Sequence, residues 1–371
     1  SASTAVSLFF LTGGITGLYV ARSVQRHDVR ISFCVGALVS GLGLASLAYV
    51  QTLAQLFAAY MLLGAGFAAS ALIPATTLVT RWFTRRRAMA LSIASTGLSL
   101  GGVVLTPLCV VMVETLGFER AVPLIGLMYV LGVVPVTIIW LRPSPAAMGL
   151  TEPGVASSPN EAGLSRASTA NSSTSHISID GTSFGDALRS RFFWGASAGY
   201  IFLMMAQVGG IAHQYGLARE QLNEAETAFA VAILPVGSIV GRLIGGWVVE
   251  RISMRAFAIF VMIMQAASLL LLSTGFSPLT LYLGLALFGT TVGNLLMLQP
   301  LIVAAAFGVR DYARIFSVSN QMTSWGTAIG PALLGLAYGL NNNQYSLSYQ
   351  VAALAGALGL VLFLAGGRKR L

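Results

Sequence analysis

Charge is what this chain has least of. Asp, Glu, Lys and Arg make up 9% of its 371 residues, against about 25% in a soluble domain, and Lys369 is its single lysine. A chain so poor in charge cannot cover a water-facing surface. Sulfur and imidazole are equally scarce. The two cysteines, Cys34 and Cys109, fall in different apolar stretches, which leaves no disulfide framework and no ligand spacing for a metal. They read as small core residues. The three histidines, His27, His176 and His213, are far apart, and no CxxC, HExxH, GxSxG or phosphate-loop pattern occurs. These absences argue against an enzyme and against any cofactor or metal. The net charge of +9 would point to nucleic acid in a soluble protein, but its placement along this chain points to a lipid bilayer instead.

What fills the chain is apolar. Hydrophobic residues make up 56%, glycine contributes 41 residues, and the mean hydropathy is +0.80. Runs of about 20 apolar residues are long enough to cross a bilayer as helices. Eleven occur, at 3–21, 31–50, 54–80, 88–113, 121–141, 192–215, 226–249, 256–274, 278–307, 313–338 and 346–366. The expected fold is an all-α membrane protein. Prolines inside the runs (Pro74, Pro107, Pro135, Pro235, Pro300, Pro331) are tolerated better in membrane helices than in soluble ones.

Basic residues set the orientation. All of the 21 except Arg120, Arg219 and Arg242 fall in alternate connections or in the tail Arg368-Lys369-Arg370. By the positive-inside rule that side, with the C-terminus, is cytoplasmic in a multi-pass, bacterial-type inner membrane. The arginine runs 81–87 and 368–370 read as topology determinants and anionic-lipid contacts. With eleven spans, residue 1 falls outside, which is expected of a chain lacking a first helix that would restore twelve spans in two halves of six. The predicted bodies are residues 1–142 and 192–371. The Ser-, Pro- and Gly-rich segment 143–191 between them reads as a mobile cytoplasmic linker, ending in a short amphipathic helix at Phe184–Arg191. No role is assigned to His176 within it.

The run from Gly237 to Arg255 organises the rest. It carries Arg242 in its interior, the pair Gly245-Gly246, and then Glu250, Arg251 and Arg255. A degraded copy begins at Gly17 and continues through Ala21, Arg22, Arg26 and Arg30, aligning Gly17 with Gly246, Ala21 with Glu250 and Arg22 with Arg251. A repeat within a polytopic chain is the mark of a secondary transporter with its site between the halves. On these residues the chain resembles the major facilitator superfamily over nearly its whole length. Gly246-Trp-Val-Val-Glu250-Arg251 matches the family's Gly-x-x-x-Asp-Arg loop motif, and Gly17, Arg22 and Arg26 match its first-half copy, with Ala21 where aspartate is usual. The resemblance implies that these six positions other than Ala21 form a gating latch.

Within the superfamily, the chain is similar to the monocarboxylate-porter and oxalate–formate exchanger group. The carrying residues are Gly64-Ala-Gly66, Pro74, Arg81-Trp82-Phe83 with Arg85-Arg86-Arg87, Gly97-x-x-x-Gly101, Gly117-Phe118-x-Arg120 and Gly326-x-x-x-Gly330-Pro331. The likeness implies that Arg242 meets a substrate carboxylate. Ser238 stands four residues before it, where those porters carry an aspartate, so proton coupling through that acid does not transfer.

The residues themselves allow two readings of Arg242. It lies about 24 Å along a helix starting near 226, where an arginine inside an apolar span costs at least ~2.5 kcal/mol. It either snorkels toward Glu250 and the headgroups or faces a wet cavity where an anion neutralises it. No Asp or Glu occupies a span interior, which favours the cavity. Weaker binding candidates are Gln207, Asn294, Gln299, Asn320, Gln321 and Trp325, each of which could equally hydrogen-bond helix to helix. His213, near an outer helix end, is an interfacial residue or a proton site. The expected function is alternating-access transport of a small organic anion by a monomer, by uniport or exchange. Efflux of neutral or amphipathic compounds is the alternative, and a membrane enzyme or non-transporting receptor a remote one.

Overall fold

The computed structural model describes residues 2–83, 86–144, 148, 181–275 and 277–367. Nearly all of them are helical. The first half runs α1 (Ala2–Arg26), α2 (Val29–Leu47), α3 (Leu53–Ser70), α4 (Leu72–Trp82), α5 (Arg87–Leu116) and α6 (Phe118–Ile139). The second runs α7 (Phe184–Arg189), α8 (Arg191–Arg219), α9 (Glu224–Val249), α10 (Met254–Thr274), α11 (Pro278–Phe307), α12 (Tyr312–Leu340) and α13 (Ser346–Ala365). Most of the expected linker, with His176, lies outside the described residues, as do Arg85, Arg166 and the basic tail 368–370.

Local chemistry fixes where these helices begin and end. Asn223 and Glu226 close a reciprocal capping box on α9, and Ser277 caps α11 ahead of Pro278 in its first turn. Such caps satisfy backbone donors that have no partner within the helix. Glycines in the left-handed region, Gly117 at φ +76° and Gly275 at +62°, let the chain leave α5 and α10 without a Cβ penalty.

Among the described residues, 10 helical segments are long and apolar enough to span a membrane, one of them the α3–α4 pair taken together. The eleventh expected span is α12. It is 29 residues long, enough for about 43 Å, but a polar stripe from Ser317 through Asn320, Gln321 and Ser324 lowers its hydropathy. The expected 54–80 span differs in one respect. It is broken at Ala71 (φ −114°, ψ −115°), three residues before Pro74. A proline lacks the N–H of the helical ladder and its ring crowds the preceding turn. The prolines at 107, 135, 235, 300 and 331 leave their helices continuous.

The internal repeat has a structural counterpart. Helix α1 packs on α3 and reaches across to α12, while α9 packs on α11 and reaches across to α5. Close contact at these seams depends on missing side chains. A Cβ added at Gly326 would meet the Ile201 carbonyl oxygen at 1.9 Å, and one at Gly293 the Ser238 carbonyl oxygen at 2.2 Å. Glycine lets α12 and α11 lie directly on α8 and α9.

Two apolar cores result. One joins both halves at the end that carries the basic loops, bringing Val20, Val24, Ile73 and Leu91 together with Leu298, Tyr312 and Phe316. The other, with Met205, Phe288, Leu334 and Tyr349, belongs to the second half alone. The halves are thus joined at the basic end.

Candidate functional site

Between the halves lies a cavity of about 550 Å³. Its wall is mostly apolar, with Phe9, Phe10 and Phe67 from the first half and Met204, Ile211 and Met297 from the second. Polar groups enter at scattered points: Thr76 of α4, Ser95 and Ser99 of α5, Gln207 of α8, Arg242 of α9, Gln299 of α11, and Asn320, Thr323, Ser324 and Thr327 of α12. An apolar chamber with few convergent polar groups is the usual form of a small-molecule site.

Arg242 is the one charged residue in that wall among the described residues, and it is fully buried (0%). Its Nε donates to the Gly293 carbonyl at 3.2 Å and Nη2 to Ser238 Oγ at 3.3 Å. Its Nη1 donates to the Ser95 carbonyl on α5, and Ser92 Oγ donates to the Arg242 carbonyl. The guanidinium is therefore not bare, although no acid occupies a span interior to pair with it. Its partners are neutral oxygens. Glu250, the acid toward which Arg242 could have snorkelled, instead accepts from the backbone N–H of Met89 at 3.2 Å. A partly exposed ion pair joins Arg30 to Asp28 at 3.7 Å, away from the cavity.

The other candidates divide. Gln299, Gln207 and Asn320 meet Arg242 at the cavity. Gln299 (5% exposed) donates through Nε2 to Ser319 Oγ at 3.2 Å and Thr323 Oγ1 at 2.8 Å, and Ser197 Oγ donates to Ser319. That chain fixes the amide with its nitrogen toward α12. Gln207 is 2% exposed, and its Oε1 has no hydrogen-bond partner.

Asn294, Gln321, Trp325 and His213 fall elsewhere. Asn294 donates to the Gly241 and Thr290 carbonyls at 2.9 and 2.8 Å, tying α11 to α9. Gln321 lies against Gly14 at the α1–α12 seam. Trp325, at 47% exposure, is on an outer face. His213 Nε2 donates to the Pro331 carbonyl at 2.9 Å and its ring lies 5.5 Å from that of Tyr345, so it holds α8 to α12.

The loop-motif residues gather at the basic end. Gly246 lies against Ser92 of α5, Arg251 stacks on Trp247 at 3.7 Å, and Glu250 holds the first turn of α5. Gly17 lies against Ile73 of α4, and Arg22 and Arg26 border a separate small cleft. The expected amphipathic helix forms as α7, docked on protein. Phe184 N donates to Asp311 at 3.0 Å, Thr182 N to the Phe307 carbonyl at 2.8 Å, and Arg314 stacks over the Phe184 ring at 4.3 Å.

The serines facing Arg242 were missed from the sequence, although the signal was there. Ser92, Ser95 and Ser99 recur at i, i+3 and i+7 and so share one face of α5.

A bundle of membrane-crossing helices, two halves related by a repeat, and a mid-span chamber between them define a membrane transport protein rather than an enzyme. The comparisons agree. The sequence profile of the Major Facilitator Superfamily matches residues 1–331 and 208–370, and the chain belongs to that family of secondary transporters. An MFS-type transporter of Gibberella moniliformis (strain M3125 / FGSC 7600) is 25% identical over 347 residues, which is 90% of this chain and 75% of that one. Monocarboxylate transporter 11 of Mus musculus is 31% identical over 101 residues, 27% of this chain and 23% of its own. Among solved structures, the E. coli fucose:proton symporter FucP (N162A) superposes with a TM-score of 0.72 at 14% identity, covering 99% of this chain and 91% of that one. The human organic anion transporter MFSD10 gives 0.69 at 16% identity, covering 97% and 82%.

Proposed function

We propose that the protein carries a carboxylate-bearing organic anion, with Arg242 as the group that holds the carboxylate. The observation that carries this reading is the fully buried guanidinium at the cavity wall, satisfied only by neutral oxygens. A buried cation without a counter-charge is costly, and a substrate carboxylate offers it a bidentate partner. Gln299, Gln207 and Asn320 would orient the rest of the molecule. The size and apolar lining of the chamber favour an anion with a hydrocarbon or aromatic body over a one-carbon acid. Two of the similar proteins bear names in the same chemical range, a monocarboxylate transporter and an organic anion transporter.

Alternating access would move residues 1–142 against 192–371 about this chamber, with the basic end and C-terminus on the cytoplasmic side of the cell membrane. No Asp or Glu lines the cavity among the described residues, which favours uniport or exchange over proton symport through a carboxylate. The mostly apolar wall, which includes three Phe, four Leu and two Met, supports a second reading, efflux of neutral or amphipathic compounds.

Uptake by proteoliposomes separates the two. Labelled lactate, oxalate and an aromatic carboxylate are compared with a neutral sugar and a lipophilic cation, for wild type and Arg242→Gln. Saturable carboxylate uptake, lost in the folded variant, is the expected result. Equal carboxylate uptake by both proteins would make Arg242 structural, and transport of the lipophilic cation alone would establish the efflux reading.

A further inference from the structure

A second cleft, of about 340 Å³, opens at the basic end and is lined by Arg22, Gln25 and Arg26 of α1 and Arg314 of α12. Three cationic side chains and an amide face it, and no acid does among the described residues. The nearby carboxylates are engaged elsewhere. Asp28 pairs with Arg30 at 3.7 Å, and Asp311 accepts from Phe184 N at 3.0 Å. The neighbouring Arg81 is also held, donating to the Val24 carbonyl at 3.0 Å.

The repeat shows what this seam lacks. In the second half, Glu250 at the end of α9 accepts from Met89 N in the first turn of α5. A carboxylate at a helix N-terminus meets the positive end of the dipole and binds one half to the other. The equivalent seam joins the end of α1 to the first turn of α12, and the position equivalent to Glu250 is Ala21. It is fully buried (0%) and carries no acceptor. The same crossing therefore has arginines on both sides and, among the described residues, no carboxylate between them.

We propose that the Arg22–Arg26–Arg314 cleft binds a phosphate-type anion that bridges α1 to α12, supplying the negative charge missing at Ala21. Guanidinium groups suit the fork geometry of phosphate oxygens. The cleft sits where the basic loops meet the headgroup layer, so a phospholipid headgroup and a free phosphate present the same chemistry. The bound anion favours the arrangement in which the basic end is closed, since opening that end pulls Arg314 away from Arg22 and Arg26.

The test follows thermal unfolding of the full chain and needs no knowledge of the transported substrate. In one arm the protein in neutral detergent is titrated with inorganic phosphate, against sodium chloride at equal ionic strength as the screening control. In the other it is placed in nanodiscs of phosphatidylcholine alone or with phosphatidylglycerol. A saturable rise in Tm of about 3 °C, absent in Arg22→Gln and Arg314→Gln, is expected. A rise in the lipid arm alone assigns the site to a headgroup, and a rise with phosphate alone to a free anion. Should Arg314→Gln fail to fold, Arg22→Gln, whose side chain is exposed, carries the comparison. Ala21→Asp, with a built-in carboxylate, should lose the dependence on either anion. A phosphate effect no larger than that of chloride, together with no lipid effect, would overturn the proposal. An equal Tm rise in Arg22→Gln would do so as well.

Discussion

Nη1 of Arg242 donates to the backbone carbonyl of Ser95, so the cation proposed to hold the substrate also ties α9 to α5 across the two halves. A substrate carboxylate bound there would compete with that carbonyl for the same guanidinium. Binding would thereby weaken one of the contacts that keep the halves together, which couples occupancy of the chamber to its opening without a titrating acid.

Arg242→Lys tests this geometry. Lysine keeps the charge but cannot donate from Nε, Nη1 and Nη2 in three fixed directions to Gly293, Ser95 and Ser238. Carboxylate uptake should fall at least about 10-fold, the equivalent of losing ~1.4 kcal/mol, while the protein still folds. Full uptake by the lysine variant would show that charge alone suffices.

Gln207 separates stability from binding. Its Oε1 is buried without a partner, so Gln207→Leu removes an unsatisfied acceptor and should stabilise the empty protein by about 1 kcal/mol. The same change should raise the half-saturating concentration for a substrate carrying a hydroxyl donor. A thermal melt and an uptake curve read the two effects separately.

Gly293→Ala places a methyl group against the Ser238 carbonyl and within 3.1 Å of the Arg242 Cβ. It should cost about 2 kcal/mol or more and displace Arg242, lowering both Tm and uptake. Gly97, where an added Cβ meets nothing within 4 Å, is the control, and Gly97→Ala should be neutral or stabilising.

Glu220 provides a pH signature at the end of the molecule opposite the basic loops. It caps α8 and accepts from Tyr345 N at 2.9 Å. Burial raises its carboxyl pKa above the usual 4.5, and the Tyr345 N–H opposes the rise without cancelling it. A raised carboxylate pKa stabilises the fold when the group is protonated. That contribution is complete below 4.5 and is lost as pH climbs through the folded-state pKa. Glu220→Gln should flatten this part of the Tm-versus-pH curve, and an unchanged slope would assign it to other groups.

Much of the fold was legible because bilayer thickness and loop charge act on single residues. The spans, the order of the basic loops and the short helix at Phe184 all follow from composition. The break at Ala71 did not, because Pro74 is chemically like the six prolines that lie inside continuous helices. The site was legible in part. Arg242 stood out as a lone charge, but its partners are backbone carbonyls of Ser95 and Gly293, which no side-chain pattern displays. Gln321 and Trp325 share a helix with Asn320, yet only Asn320 reaches the chamber. With α12 polar over several faces, its sequence does not say which face meets α1, the cavity or lipid.

The break at Ala71 also divides labour along one crossing of the membrane. Helix α3 is held against α1, where a Cβ at Gly64 would meet the Phe9 carbonyl at 2.2 Å. Helix α4 supplies Leu72, Ile73, Thr76 and Val79 to the chamber wall, beside Phe67 and Ala68 from the last turn of α3. With its ladder interrupted above Pro74, the crossing changes direction at residue 71. The chamber wall there is thus built from two separately directed segments of one crossing rather than from a single straight helix.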